Sequence, residues 1–114
     1  KIALYTDISG LSASTTAFTA TNEVSTSGTS YSSGGNTLDG QAVAISGTTA
    51  FVDFTDETFS SVTLSAVGAM IYNDTNSDKA CLVLDFGGTK TATNGDFVVQ
   101  FPAADASNAI IRIA

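Results

Sequence analysis

The sequence predicts an all-β protein, a single-domain antiparallel β-sandwich of jelly-roll-like or Greek-key type with about seven or eight strands. Apolar and polar residues alternate in several runs, turn-forming residues separate these runs at the spacing typical of sandwiches, and no segment has a helical period. With 114 residues, the chain can bury one core but not two. We therefore expect one domain, residues 1–114, without a linker.

The strongest strand signal lies in residues 59–73. Val62, Leu64 and Ala66 alternate there with serine and threonine, as in a strand with one buried face. From position 68 onward apolar residues occupy both parities, so we expect that end to be covered on both faces. Turn-forming residues fill positions 74–78 before an apolar return run, which predicts a central hairpin.

The first forty residues contain one short strand signal, at residues 1–7, followed by a long segment rich in serine, threonine and glycine. This composition favours loop over helix. Its large side chains include Phe18, Tyr31 and Leu38, which we expect to act as anchors or contacts.

A second hairpin is predicted for residues 41–55, with a turn at positions 47–49. By alternation, Val52 and Phe54 lie on one face and Phe51 on the other. Phe51 is then either on a covered face or exposed at an interface.

The last third of the chain contains the return run and two further strand signals. The return run covers residues 79–87, and Asn94-Gly95 is a favoured tight-turn pair before a strand that ends at Pro102. Residues 109–114 have the alternation of a closing strand.

The charge excludes some classes of partner. Eleven acidic and four basic residues give a net charge of −7, which argues against binding to nucleic acid or to an anionic membrane surface. No apolar run has the length of a membrane span. The first residue is Lys1 and lies within a strand signal, so we expect a processed chain or one without its N-terminal segment.

Few residues here could carry catalysis. The chain has no histidine and no tryptophan, and its single cysteine, Cys81, lies in an apolar run that favours a buried, inert thiol. Asp74, Asn76 and Asp78 resemble the start of a calcium loop, but the glycine and glutamate of an EF-hand are absent. A plain turn is the preferred interpretation. We predict a non-enzymatic protein without metal or cofactor.

Several motifs together resemble a family of small virion structural proteins of tailed bacteriophages. An IKVALYT-like strand matches residues 2–5, an NEV...GYxxGG...L signature matches residues 22–38, and a TLxAxGAxIYxD segment matches residues 63–74. LVLDFG and NGDFxxxF elements follow at residues 82–87 and 94–101. The likeness covers nearly the whole chain, although family members usually have an additional N-terminal segment.

The resemblance implies a structural role in the virion, with a decoration or cement protein on the capsid exterior as the first expectation. The expected partners are the major capsid protein and sister subunits in a small symmetric homo-oligomer, with a trimer expected. Interface candidates are Phe18, Tyr31, Leu38 and Phe51. Two alternatives stay open: a tail- or fibre-associated module, and a carbohydrate-binding β-sandwich for attachment to the host surface.

Overall fold

The computed structural model describes residues 1–113 and is all-β in that range, with two small antiparallel sheets of three strands each. The strands are β1 (Ile2–Tyr5), β2 (Ala42–Ser46), β3 (Thr49–Asp53), β4 (Glu57–Asn73), β5 (Lys79–Val99) and β6 (Ile111–Ile113). The chain forms two compact units, which are described separately: residues 1–37 with 59–97, and residues 38–58 with 98–113. The predicted single domain and its sandwich arrangement stay predictions.

The first unit contains the first sheet, in the order β1-β4-β5, apart from the first two residues of β4 and the last two of β5. β1 pairs antiparallel with β4, with Ile2 opposite Ile71 and Tyr5 opposite Gly68. β4 and β5 form the predicted central hairpin, joined by the turn at residues 74–78. All four side chains of β1 are fully buried. Ala3 and Tyr5 pack with Met70 and Tyr72, and this cluster organises the unit's interior.

The second unit contains the second sheet, in the order β2-β3-β6, with both pairings antiparallel. β2 and β3 form the second predicted hairpin, closed by the two-residue turn Gly47-Thr48. Gly47 has a φ of 61°, the positive value that a type II′ hairpin turn places at its first central position. The Phe54 ring lies 5.7 Å from Phe101, and the Phe101 amide donates to Asp56 Oδ1 at 2.8 Å.

The predicted strand number was too high. Six strands are present among residues 1–113, because the return run and the following strand signal are one long strand, β5. The expected tight turn at Asn94-Gly95 is wrong: Asn94 has a φ of 46° but stays within β5. Its amide donates to Thr63 Oγ1 of β4 at 2.9 Å. Asn94 is thus an irregular residue inside a paired strand, and the chain does not reverse there.

Candidate interaction surface

The four interface candidates predicted from sequence have little exposed area. Tyr31 is 3% exposed and Phe51 is 9% exposed, while Phe18 and Leu38 are half-buried. The Phe18 ring stacks on Tyr72 with centroids 4.7 Å apart, and it packs against the buried cluster of the first unit. Tyr31 and Phe51 therefore contribute mainly to packing within the chain, whereas Phe18 and Leu38 keep part of their side-chain surface exposed.

Tyr31 organises the long loop of the first unit through its hydroxyl. The hydroxyl accepts a hydrogen bond from the Leu4 amide at 3.0 Å and donates to Glu23 Oε1 at 2.8 Å. Glu23 Oε1 also accepts from the Gly34 amide at 2.6 Å. The Tyr72 hydroxyl then donates to the Gly34 carbonyl oxygen at 2.6 Å. Residues of the NEV and YxxGG signatures thus meet in one network that ties the loop to β1 and β4.

Burial changes the acidity of the tyrosines in this unit. Desolvation raises the pKa of Tyr5 to about 12, and the negative charge of Glu23 adds to this effect. Burial likewise raises the pKa of Tyr31 and that of Tyr72. The three phenols are held neutral, as donors to Glu23 and to backbone carbonyl oxygens. Their arrangement is that of a structural network.

The exposed apolar surface is concentrated on one face of the second sheet. In the observed register, Val43 lies opposite Val52 and Ile45 opposite Ala50. β6 extends both of these cross-strand pairs by one residue, because Ala50 lies opposite Ile113 and Val52 opposite Ile111. Directly paired residues share a face of an antiparallel sheet. We define this set as the aliphatic face: Val43, Ile45, Ala50, Val52, Ile111 and Ile113.

Much of the aliphatic face is open to solvent. The exposed fractions of Val43, Ile45 and Ile113 are 69%, 76% and 71%. Isolated exposed apolar residues are normal, but a contiguous aliphatic patch indicates a surface that another molecule covers. Sequence reasoning missed this face. The hairpin register of Val43 and Val52 was available from the sequence, whereas the position of β6 beside β3 was not.

The aliphatic face carries no charge, although the second unit is acidic. The unit contains one basic residue, Arg112, and five acids: Asp39, Asp53, Asp56, Glu57 and Asp105. Arg112 lies opposite Phe51, and Asp53 has the same parity as Phe51, so both lie on the other face of the sheet. A partner can therefore cover the aliphatic face without burying an ionised group.

The edge of the second sheet is also open. β2 is an outer strand, and all five of its residues are exposed. It contains no proline, no charge and no bulge, which are the usual devices that protect an edge from pairing with another chain. Residues 41–52 contain no charged side chain at all. Backbone groups on this edge are accessible to a further strand.

The candidate calcium turn is built from its own hydrogen bonds. Asn73 Oδ1 accepts from the amide and hydroxyl of Thr75 at 3.2 and 2.7 Å. Asp74 Oδ2 lies 3.9 Å from Lys1 Nζ. Between residues 1 and 113, no group of three or more thiol or carboxylate side chains is placed to hold a metal ion.

The expectation of a buried thiol at Cys81 is wrong, because Cys81 is exposed. β5 is an outer strand of the first sheet, and its residues at positions 79, 81 and 85 point to solvent. Cys81 borders an open cleft of about 760 Å³ that Ile8, Leu11 and Val83 also line.

No helix long and apolar enough to span a membrane occurs in the described part of the chain.

Comparison with known proteins identifies no relative. No protein family, no curated protein and no solved structure matches this chain.

Proposed function

We propose that this protein is a non-enzymatic virion structural protein of a tailed bacteriophage, a decoration or cement protein on the capsid exterior. The observation that supports it best is the exposed, uncharged aliphatic face of the second sheet. The motif resemblance described above supplies the biological setting. Its partners are the major capsid protein and sister subunits, and neither nucleic acid nor a membrane is among them.

The mechanism is adhesion. Covering an aliphatic face removes apolar area from water at a gain of roughly 25 cal/mol per Å². One such contact is weak, but a repeated particle surface engages many copies and multiplies the gain through avidity. The acidic remainder of the chain keeps free copies in solution and away from nucleic acid. This mechanism requires no cofactor.

Cryo-electron microscopy of assembled virions, with this chain located by its density, tests the proposal. Copies at symmetric positions on the capsid exterior would support a cement role. Density confined to the tail or fibres would replace it by the attachment alternative, and absence from every particle would overturn the virion assignment.

A binding experiment tests the role of the aliphatic face. Ile113→Lys places a charge on it, and we expect at least about a tenfold loss of binding to particles that lack the protein. Ser107→Lys is the matched control, because Ser107 is exposed and contributes only its amide, to Asp105 Oδ1. Equal loss in both variants would exclude a specific role for the face.

A further inference from the structure

We infer that β2 is a self-association edge, at which two copies of this chain pair their β2 strands antiparallel around a twofold axis through Ala44. The result is one continuous sheet of six strands. The inference deepens the proposed association of sister subunits and rests on that part of the proposed function. It assigns a dimer, in place of the expected trimer, as the unit in solution.

The backbone groups along β2 point alternately to β3 and to the open edge. The two-residue turn closes on the Ser46–Thr49 pair. Antiparallel pairs alternate between hydrogen-bonded and non-hydrogen-bonded, so positions 42, 44 and 46 direct their amides and carbonyls to β3. Val43 and Ile45 direct theirs to the open edge. A second strand would find two amides and two carbonyls there.

One register of two paired β2 strands uses all of these groups. When Ala44 lies opposite Ala44 of the second chain, Val43 of each chain lies opposite Ile45 of the other. Both outer pairs are then hydrogen-bonded, and the Ala44 pair between them is not. A shift by one residue would place Val43 and Ile45 of the two chains on opposite faces. The twofold register keeps every aliphatic side chain on the same face.

The area of the aliphatic face limits how two copies can associate. With strands about 4.8 Å apart and a rise of about 3.4 Å per residue, five residues on three strands cover roughly 245 Å². Face-to-face contact of two single sheets would fall well short of the ~800 Å² per partner of a standard interface. Edge pairing is also below this size, but it satisfies the two amides and two carbonyls that each β2 edge presents and yields one aliphatic face of roughly 490 Å². That doubled face is the larger surface that the dimer offers to the particle.

The paired edge lies in an uncharged stretch of the chain. Each chain carries a net charge of −7, which opposes association of two copies. Residues 41–52 contribute none of that charge. The twofold axis through Ala44 therefore brings together the least charged stretches of the two chains. Since the remaining repulsion is long-range and screened by salt, the dimer should strengthen as ionic strength rises.

A cysteine cross-linking experiment on the full chain tests the register, in a Cys81→Ser background. Ala44→Cys should form a disulfide-linked dimer under mild oxidation, because a non-hydrogen-bonded pair has Cα atoms about 4.5 Å apart, within the range of disulfides. Two copies of Ala42→Cys should cross-link at least about tenfold more slowly, since position 42 faces Ser46 of the other chain. A mixture of Ala42→Cys and Ser46→Cys chains should cross-link readily. Equal rates of disulfide formation in separate samples of Ala42→Cys and of Ala44→Cys would overturn the register.

Analytical ultracentrifugation of the unmodified protein tests the dimer itself. We expect a concentration-dependent shift from 11.6 kDa to twice that mass, with an affinity weakened at least about tenfold by Ile45→Lys and unchanged by Thr48→Lys. Val43→Lys serves in place of Ile45→Lys if the latter fails to fold. A monomer at all concentrations up to about 0.5 mM, or a trimer, would overturn the inference. Neither result would bear on whether virions contain the chain.

Discussion

The Tyr31 hydroxyl donates a 2.8 Å hydrogen bond to Glu23 Oε1. The same hydroxyl accepts from the Leu4 amide, and Tyr31 is 3% exposed. One phenol thus joins the long loop to β1. A buried group that both donates and accepts leaves two partners unsatisfied when it is removed, so the contact should be measurable in the stability of the protein.

Tyr31→Phe removes the hydroxyl and keeps the ring. We expect the free energy of unfolding to fall by ~1–3 kcal/mol, because the Leu4 amide and Glu23 lose a buried partner. Urea denaturation measures the change. Ser33→Ala is the control: Ser33 is exposed and its hydroxyl lies 3.4 Å from Glu23 Oε2, so its removal should cost under about 0.5 kcal/mol. Equal stability of Tyr31→Phe and the parent would contradict the network.

Gly35→Ala tests the close approach of the loop to β1. Gly35 has a φ of 74°, and a Cβ there would overlap the Ile2 carbonyl oxygen. Gly28 is the matched control, since its φ is 72° and a Cβ there meets nothing within 4 Å. We expect Gly28→Ala to cost ~1–2 kcal/mol from backbone strain alone. Gly35→Ala should cost at least about 1 kcal/mol more from overpacking, and equal thermal shifts would contradict the contact.

Ser30→Gly should stabilise the protein. Ser30 has a φ of 61°, and a side chain in this left-handed region costs roughly 1–2 kcal/mol that glycine avoids. Glycine loses more chain entropy on folding, so we expect a net gain of about 0.5–1 kcal/mol. Thermal unfolding measures it. Ser27→Gly, at an exposed position of the same loop without a positive φ, should instead be neutral or destabilising.

Stability should decrease at alkaline pH. The pKa of Tyr5 in the folded chain is about 12, above its ordinary value of 10.0, and those of Tyr31 and Tyr72 are also raised. Folding therefore favours the neutral phenols. The tyrosine contribution to stability is fully present below pH 10 and is lost as the pH rises towards 12 and beyond.

Ultraviolet absorbance of tyrosinate checks the shift. The folded chain should ionise at higher pH than the same chain in denaturant, and denaturation curves recorded across this range should show stability falling. Tyr5→Phe should remove part of the dependence. Superimposed titrations of folded and unfolded chains would contradict the raised pKa values.

Cys81 should react with an aromatic disulfide reagent in the folded state. Its side chain is exposed, so we expect one thiol per chain to be modified at a rate within about tenfold of the unfolded chain. Cys81→Ser supplies the blank. Protection by orders of magnitude would place the thiol in the interior that the sequence had indicated.

Local patterns predicted much of this architecture. Alternation around Val62 and Leu64 predicted β4, and turn formers at residues 74–78 predicted its return as β5. The hairpin of β2 and β3 followed from similar evidence. The prediction failed where local chemistry is ambiguous: Asn94-Gly95 suits a tight turn and also suits an irregular residue within a strand. Pairing with Thr63 of β4 decided between them.

Side-chain type predicted exposure less well than alternation predicted strands. Tyr31 and Phe51 are aromatic, a side-chain type that is common at interfaces but also common in protein interiors, and both are buried. The aliphatic residues Val43, Ile45 and Ile113 of β2 and β6 are much more exposed than either aromatic residue. Nothing in the composition of those strands distinguishes an uncovered apolar face from a covered one.

The sequence by itself determined which side chains share a face in the regular stretches, such as residues 42–46 and 62–66, because the two-residue period of a strand is a local property of the backbone. It also determined the turns that close the hairpins. Only the tertiary structure decided that β6 lies beside β3, that Val43 and Ile45 stay in solvent, and that Cys81 does too. Those outcomes depend on contacts between residues distant in the chain, and burial is the sum of such contacts.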